Sequence, residues 1–441
     1  MITKKHFLGL LICLAVGHLF VITGVSAAED PAEQFTLEQT IEKAIEVNLK
    51  LKSSQEEIKA ATAVKNVKRT NFFPTLNASY QYIKRDETAV VGGTVLKAGR
   101  EHTFVTGFSQ PIFTGFSLLN QYNIAGLGLD VSVVSEKLLL QDIILDAKRT
   151  FFDLLKAQKL VAIAQETVTQ ITAQKDVAEN YYTVGMSPLN DFLQAQVELA
   201  NAEQQLIVAK NDLANAESRF NVLLRRPINS TVNVEDILDY TSFEHDLDYC
   251  ISEAGKARLE IQIADKEIEI AQKEIALVQK GYWPSVNLNG NYFFNGTDWD
   301  ADGGPGISDP EGWTLTALAS WNFWEWGRTT YGKKEKLSRL SQAELQKTDI
   351  LDNIHLEVKT AYLRTQEAEK AIIAIEKAIE QAKENFRINE ERYKEQMATS
   401  TDVLNAQTLL SRTMTNYYNA LYEFKKAKAS LYRAMGQEVM K

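Results

Sequence analysis

Two stretches of the chain run for about one hundred residues with almost no helix breaker. From Leu129 to Pro227 the only interruptions are Gly185 and Pro188, and from Lys333 to Lys441 the only one is Gly436. Compact domains scatter Gly and Pro through their turns, because tight turns need unusual backbone angles. Withholding them forces long helices that fold back once per stretch. The apolar spacing agrees. Phe192, Leu199, Leu206, Leu213 and Phe220 recur every seventh residue, with Ala195, Ala202, Ala209 and Ala216 three places after the first four. Alternating steps of three and four make a coiled-coil seam. Val403, Leu410, Tyr417, Phe424 and Leu431, with Ala406, Ala420, Ala427 and Ala434, form a second such seam. The helices preceding these carry matching seams, Leu154 to Tyr182 and Ala368 to Tyr393. Gly185–Pro188 and Gln396–Thr399 fall between paired seams and are the expected hairpin tips. A helix from about Asp146 to Val184 would span nearly 60 Å at 1.5 Å per residue.

The chain repeats itself. A shift of 211 places Tyr182 on Tyr393, Met186 on Met397, Asp191 on Asp402 and Gln196 on Gln407, and a shift of 210 places Phe73-Pro74 on Trp283-Pro284. A unit this long is a duplicated domain-sized element rather than a solenoid repeat. Each copy reads as a helix, two strands and a helical hairpin. The expected boundaries are 28–226 for the first copy, 227–247 for a polar linker and 248–441 for the second. The hairpins are expected over 117–226 and 328–435.

The strands constrain the environment. Leu76, Ala78, Tyr80 and Tyr82 alternate with Asn77, Ser79 and Gln81. Val286, Leu288, Gly290, Tyr292 and Phe294 alternate with four asparagines, and Trp313 to Phe323 alternates in the same way. The run from Phe104 to Phe113 alternates less cleanly. Strands are therefore expected at about 75–84, 103–113, 285–295 and 313–324. Ten-residue runs with one apolar and one polar face suit a transmembrane β-barrel, and they also fit a soluble sheet with one wet face. All six Trp lie between Trp283 and Trp326, near strand ends where interfacial aromatic belts form. Four strands cannot close a barrel, and an open edge cannot sit in lipid. If these strands span a membrane, several chains share one barrel; three would give twelve strands, although arithmetic alone does not choose three over two or four.

The N-terminus has the form of a secretory signal peptide over 1–27: Lys4-Lys5, an apolar run from Phe7 to Ile22, and Val25-Ser26-Ala27 before the cut. Cys13 lies inside the apolar run, which leaves Cys250 alone after cleavage and excludes an intrachain disulfide. Losing two lysines takes the net charge from -10 to -12. That balance opposes nucleic-acid binding, which needs clustered Lys and Arg.

In these features the sequence resembles the TolC-type outer-membrane efflux family. Phe35-Thr36-Leu37-Glu38 through Asn48 looks like the family's first helix. Phe73-Pro74-Thr75-Leu76 and Trp283-Pro284-Ser285-Val286 look like its helix-to-strand transitions. Pro111 to Gly115 and Phe323 to Arg328 look like its strand-to-helix exits, and Tyr182–Gln196 and Tyr393–Gln407 like its two tips. The resemblance covers nearly the whole mature chain. It implies an α+β membrane protein: a homotrimer whose twelve-stranded β-barrel in the outer membrane continues as a helical coiled-coil barrel through the periplasm. The implied partners are a periplasmic adaptor and an inner-membrane pump or type I exporter. The implied channel is passive and needs no cofactor.

The resemblance also assigns sites. The second tip narrows the pore, with Asp402, Asn405 and Tyr393 as gate residues. Three copies of Asp402 would face one another, attract cations and raise one another's pKa. Asn405 stands where some members carry a second acid, and Ala398 where some carry Arg. Adaptor contact falls on Gly185, Met186, Ser187, Pro188 and Asp191, and on Gln396, Met397, Ala398 and Thr399. Each position also has a purely structural reading, Asp402 as a helix N-cap and the first tip as a plain turn. One loop has calcium-like spacing in Asp298, Asp300, Asp302 and Asp309, but Pro305 intrudes and flanking helices are missing, so an exposed hairpin loop explains it better. His102, His245 and His355 are scattered, and no phosphate loop or nucleophile elbow occurs. An enzyme is thus disfavoured, and a periplasmic coiled-coil scaffold that never enters a membrane is the other reading.

Overall fold

A computed structural model describes residues 34–437 apart from 93, 238 and 239. The expected signal peptide lies outside the described residues. The elements come in pairs of matched length. Helices α1 (Leu37–Val47) and α5 (Leu247–Ala257) have 11 residues each. Helices α2 (Leu49–Thr70) and α6 (Leu259–Val278) have 22 and 20. Helices α3 (Ser117–Thr183) and α7 (Arg328–Lys394) have 67 each, and α4 (Leu189–Leu223) and α8 (Ser400–Ala434) have 35 each. Asn48 and Arg258 break α1 from α2 and α5 from α6 with nearly the same backbone angles, φ -66 with ψ 120 and φ -66 with ψ 123.

The two hairpins, 117–223 and 328–434, fall within the expected ranges, and α3 starts well before Asp146. Helix α3 runs unbroken through Gly126 and Gly128, because two glycines lower helix propensity without removing a hydrogen bond. At 1.5 Å per residue it is about 100 Å long. The shorter helices α1, α2 and α4 pack along α3, while α5, α6 and α8 pack along α7, and α3 also packs on α6 and α8. The alanine-rich seams are where the hairpins bury surface: Ala178, Ala195 and Ala202 pack with Ile171 and Leu404.

The largest core lies at the waist. Phe35, Phe151, Phe152, Phe220 and Tyr422 pack there with Ile41 and Leu154. The segment joining the two halves is part of that core rather than a free linker. Strand β6 (Asn233–Val234) pairs in parallel with β1 (Gln34–Phe35), and Val232 and Val234 are buried.

At one end of the helices, four strands form an antiparallel sheet in the order β2 (Thr75–Lys84), β5 (Arg100–Thr114), β7 (Ser285–Gly296), β8 (Glu311–Ser320). A separate short hairpin, β3 (Ala89–Val91) and β4 (Thr94–Lys97), sits in the β2–β5 loop. The register stacks like on like. Leu76, Phe108, Gly290 and Leu315 are consecutive partners on one face, and Asn77, Gly107, Asn291 and Thr314 on the other. The untidy alternation in β5 has a cause: the register shifts between Pro111 and Phe113, so Ile112 is a bulged residue. Strand β8 stops at Ser320, short of the expected 324, because its last partner is Ser285 and the residue before that is Pro284, which has no N–H to extend the ladder. The outer strands β2 and β8 have no second neighbour, and Leu76 on the apolar face is 79 % exposed. Among the described residues no helix is long and apolar enough to cross a membrane.

Candidate functional site

Both helical hairpins turn at the end away from the sheet, and their tips share one backbone path. At the first, the Gly185 N–H donates to the Tyr182 carbonyl at 3.0 Å and the Met186 N–H to that of Tyr181 at 2.8 Å. At the second, the Gln396 N–H donates to Tyr393 at 3.0 Å and the Met397 N–H to Arg392 at 2.7 Å. This is the helix C-terminal motif that requires a left-handed residue. Gly185 adopts φ 77 without strain; Gln396 adopts φ 59 with a side chain. The Arg392 guanidinium donates to the Met397 carbonyl at 3.1 Å, which supports the strained turn.

The two re-entering helices start differently. Helix α8 begins on Thr399, not on Asp402. The Asp402 N–H donates to Thr399 Oγ1 at 3.2 Å, and the Asp402 carboxylate accepts from the Thr399 N–H at 2.9 Å and its hydroxyl at 2.8 Å. This reciprocal capping box, with Asp402 in the third helical position, satisfies otherwise orphan amides. These hydrogen bonds hold the Asp402 carboxyl below the ordinary Asp value, with Arg392 helping slightly. Its face is exposed, as is that of Asn405 one turn later. Helix α4 begins on Pro188 with no side-chain cap; the Ser187 hydroxyl reaches Asp191 at 3.4 Å.

Tyr393 is buried, its ring 5.5 Å from that of Tyr181. Burial pushes its phenol up, with Ser400 opposing. Among the described residues its hydroxyl has no hydrogen bond of good geometry, although Ser400 lies close enough to act on it. The side-chain carbonyl oxygens of Gln170 and Gln407 have none either. All three residues line one cavity of about 270 Å³ between α3, α7 and α8. Neutral hydrogen bonds tie the hairpins together around it: Gln174 to Ser400 at 3.3 Å, Thr401 to Gln194 at 2.7 Å and Thr167 with Ser411 at 2.6 Å. Gln396 reaches Met186 Sδ at 4.0 Å, so the two tips touch. The matched methionines Met186 and Met397 are 54 % and 69 % exposed.

All the expected tip residues, Gly185 to Asp191 and Gln396 to Asp402, thus lie at one end of the molecule. Sequence reasoning missed Gln170, Gln174, Gln407, Ser411 and Arg392. Polar residues inside a seam, such as Gln407 next to Ala406, were the available signal. The larger trough between α3, α4 and α8, about 1060 Å³, is lined by mixed charges including Asp153, Lys156, Asp212 and Arg412. Among the described residues no group of three or more His, Cys, Asp or Glu is arranged to hold a metal. In the loop after β7, Asp298 accepts from the Ala301 N–H through its carbonyl, and Thr297 bonds Gly303.

The sequence profile of the outer membrane efflux protein family matches residues 40–224 and 250–437. No curated protein sequence matches the chain. Among solved structures, the outer membrane protein VceC of Vibrio cholerae is 16 % identical, with a TM-score of 0.79 over 91 % of this chain and 96 % of VceC. The Campylobacter jejuni CmeC outer membrane channel is 15 % identical, with a TM-score of 0.80 over 91 % and 85 %. The open state of the Neisseria gonorrhoeae MtrE outer membrane channel is 18 % identical, with a TM-score of 0.75 over 91 % and 89 %.

Proposed function

The chain belongs to the outer membrane efflux protein family, and from that premise we propose that three copies close one twelve-stranded β-barrel in the outer membrane, continued by a helical tunnel through the periplasm. The family consists of passive channels, so the chain is a conduit and not an enzyme. One observation supports barrel closure above the others. The sheet has one apolar face and two edge strands with no second neighbour. Lipid offers no hydrogen bonds to such edges, so β2 of one copy pairing with β8 of the next removes both defects together. The two copies of the unit, 28–226 and 248–441, then contribute two strands and one hairpin each.

The tips are the periplasmic gate and the adaptor-docking end. Threefold repetition brings the exposed Asp402 and Asn405 around the pore, while Tyr393, buried between α3, α7 and α8, supports the gate from within one copy rather than lining it. The capping box keeps Asp402 ionised against the mutual repulsion of its copies, which suits a ring that attracts cations. Met186 and Met397, with the turns that carry them, present apolar surface to an adaptor that serves an inner-membrane pump or type I exporter. Purified protein in a planar bilayer tests the gate: Asp402→Ala is expected to change cation block and selectivity. Unchanged conductance, selectivity and block would remove Asp402 from the gate. Extraction of the protein without detergent would favour the periplasmic scaffold instead.

A further inference from the structure

The end of the helices that meets the sheet carries the opposite charge from the rest of the chain. Segments 60–74, 115–129, 271–284 and 321–340 hold ten Lys and Arg against three Asp and Glu, in a chain of net charge -10. At the tip end, 170–200 and 381–411 hold five against nine. Seven of the ten basic residues, Lys65, Lys68, Arg69, Lys273, Lys280, Lys333 and Lys334, make no ion pair among the described residues. An unneutralised band of one sign is destabilised by its own repulsion and persists where something of opposite charge meets it.

The band adjoins exposed aromatics. Trp283, Trp321, Phe323, Trp324 and Trp326 lie between the helix ends and the strands, and Trp326 is 85 % exposed. Trp283 packs edge-on against Phe116 at 5.9 Å, which fixes this junction. Amphipathic rings beside basic side chains mark a membrane–water interface.

A cleft of about 570 Å³ opens at the same level, between the short helix at Gln279–Tyr282 and the start of α7. Lys280, Arg328, Ser117, Thr329 and Trp283 line it, together with the Glu325 carboxylate. Ser117 is only 7 % exposed. Helices α3 and α7 both begin here with no side-chain cap and no acidic residue in the first turn. One first-turn amide of each is already bonded, Leu118 N–H to Thr114 Oγ1 at 3.4 Å and Arg328 N–H to the Glu325 carbonyl at 3.0 Å, and the remaining ones favour an anion. Arg328 is weakly held, 3.8 Å from Glu325.

We propose that this cleft, with the basic band around it, binds the phosphate headgroup of an anionic phospholipid in the periplasmic leaflet of the outer membrane. Lys280 and Arg328 supply charge, Ser117 and the helix amides supply hydrogen bonds, and Trp283 borders the acyl region. The lipid then sits where sheet passes into helix and fixes the depth of the barrel. This rests on the outer-membrane channel reading above.

Native mass spectrometry of the detergent-solubilised full chain tests it, with phosphatidylglycerol or phosphatidylcholine added. The wild type is expected to retain phosphatidylglycerol preferentially. Lys280→Gln and Arg328→Gln are each expected to weaken that retention about fivefold, while Lys383→Gln at the far end leaves it unchanged. The same spectra report the assembly state, so a misassembled variant is recognised and replaced by Lys280→Arg, which keeps the charge and is expected to keep the lipid. Equal retention of both lipids, or undiminished retention in the two Gln variants, overturns the proposal. So does displacement by inorganic phosphate with no lipid preference, which marks a free-anion site. A shift in ion selectivity with lipid retention intact also overturns it, placing the band on the lumen. Failure of the wild type to fractionate with outer membrane breaks the channel reading itself, a result separate from all of these.

Discussion

At the α3–α4 tip, the left-handed residue is Gly185, the next helix starts uncapped on Pro188, and Tyr182 is 41 % exposed and stacked on Phe192. At the matched α7–α8 tip, the left-handed residue is Gln396, the next helix starts on the Thr399–Asp402 capping box, and Tyr393 is 4 % exposed against Tyr181. One backbone path has been realised with two chemistries. The first tip is unstrained and loosely tied. The second holds a strained residue in place with a guanidinium brace, a reciprocal cap and bonds to the first hairpin. Strain over-determined by its surroundings is a property of sites that switch. The second tip is therefore the one whose opening would break specific bonds.

Exchanging the chemistries is the most forceful way to break this comparison. Gly185→Gln puts a side chain at φ 77 with no brace like Arg392, and is expected to cost about 1–2 kcal/mol locally, read as faster amide hydrogen exchange across 181–190. Thr399→Ala removes the cap and is expected to cost about 1 kcal/mol at the start of α8. Ser187→Ala, with only its 3.4 Å contact to lose, should shift exchange at the first tip by no more than a few tenths of roughly 1 kcal/mol. Equal effects at both tips would erase the contrast. Gln396→Gly relieves the left-handed strain but gives the unfolded chain more freedom, for a net gain of about 0.5 kcal/mol.

A pH titration sharpens the contrast further. Because the Asp402 carboxyl is held below its ordinary value, its contribution is complete above the unfolded Asp range and is lost as pH falls through the lowered folded value. The difference in protection between the tips should therefore shrink below about pH 4. A similarly small effect is expected for Tyr393→Phe. Its hydroxyl has no hydrogen bond of good geometry among the described residues, so stability should change by less than about 0.5 kcal/mol. A large change would instead show that the hydroxyl bonds Ser400.

Much of this contrast could be read in the sequence, unevenly. Gly185 and Pro188 announce the first tip, since only such residues suit that turn. Thr399 and Asp402 have capping-box spacing, yet Asp402 itself drew attention because it carries the charge. Gln396 gives no signal, because a left-handed glutamine is tolerated only when Arg392 and the helix ends surround it. Gln170, Gln407 and Tyr393 look like ordinary seam members until α3, α7 and α8 enclose them. The same divide appears at the sheet. Alternation located all four strands, but where β8 stops depended on Pro284 across the ladder, a residue in another strand's approach.

Periodicity is a local property, so the sequence by itself determined the long helices, the seams, the two turns and the amphipathic strands, each from residues a few positions apart. The order of the strands, the burial of Val232 and Val234 at the waist and the cleft beside Trp283 all join residues far apart in the chain. The sheet was decided at a still higher level. One chain leaves two edges unpaired beside an apolar face, a state that hydrogen bonding in lipid does not permit. Neither the sequence nor a single copy's packing can satisfy those edges; in the channel we propose, neighbouring copies do.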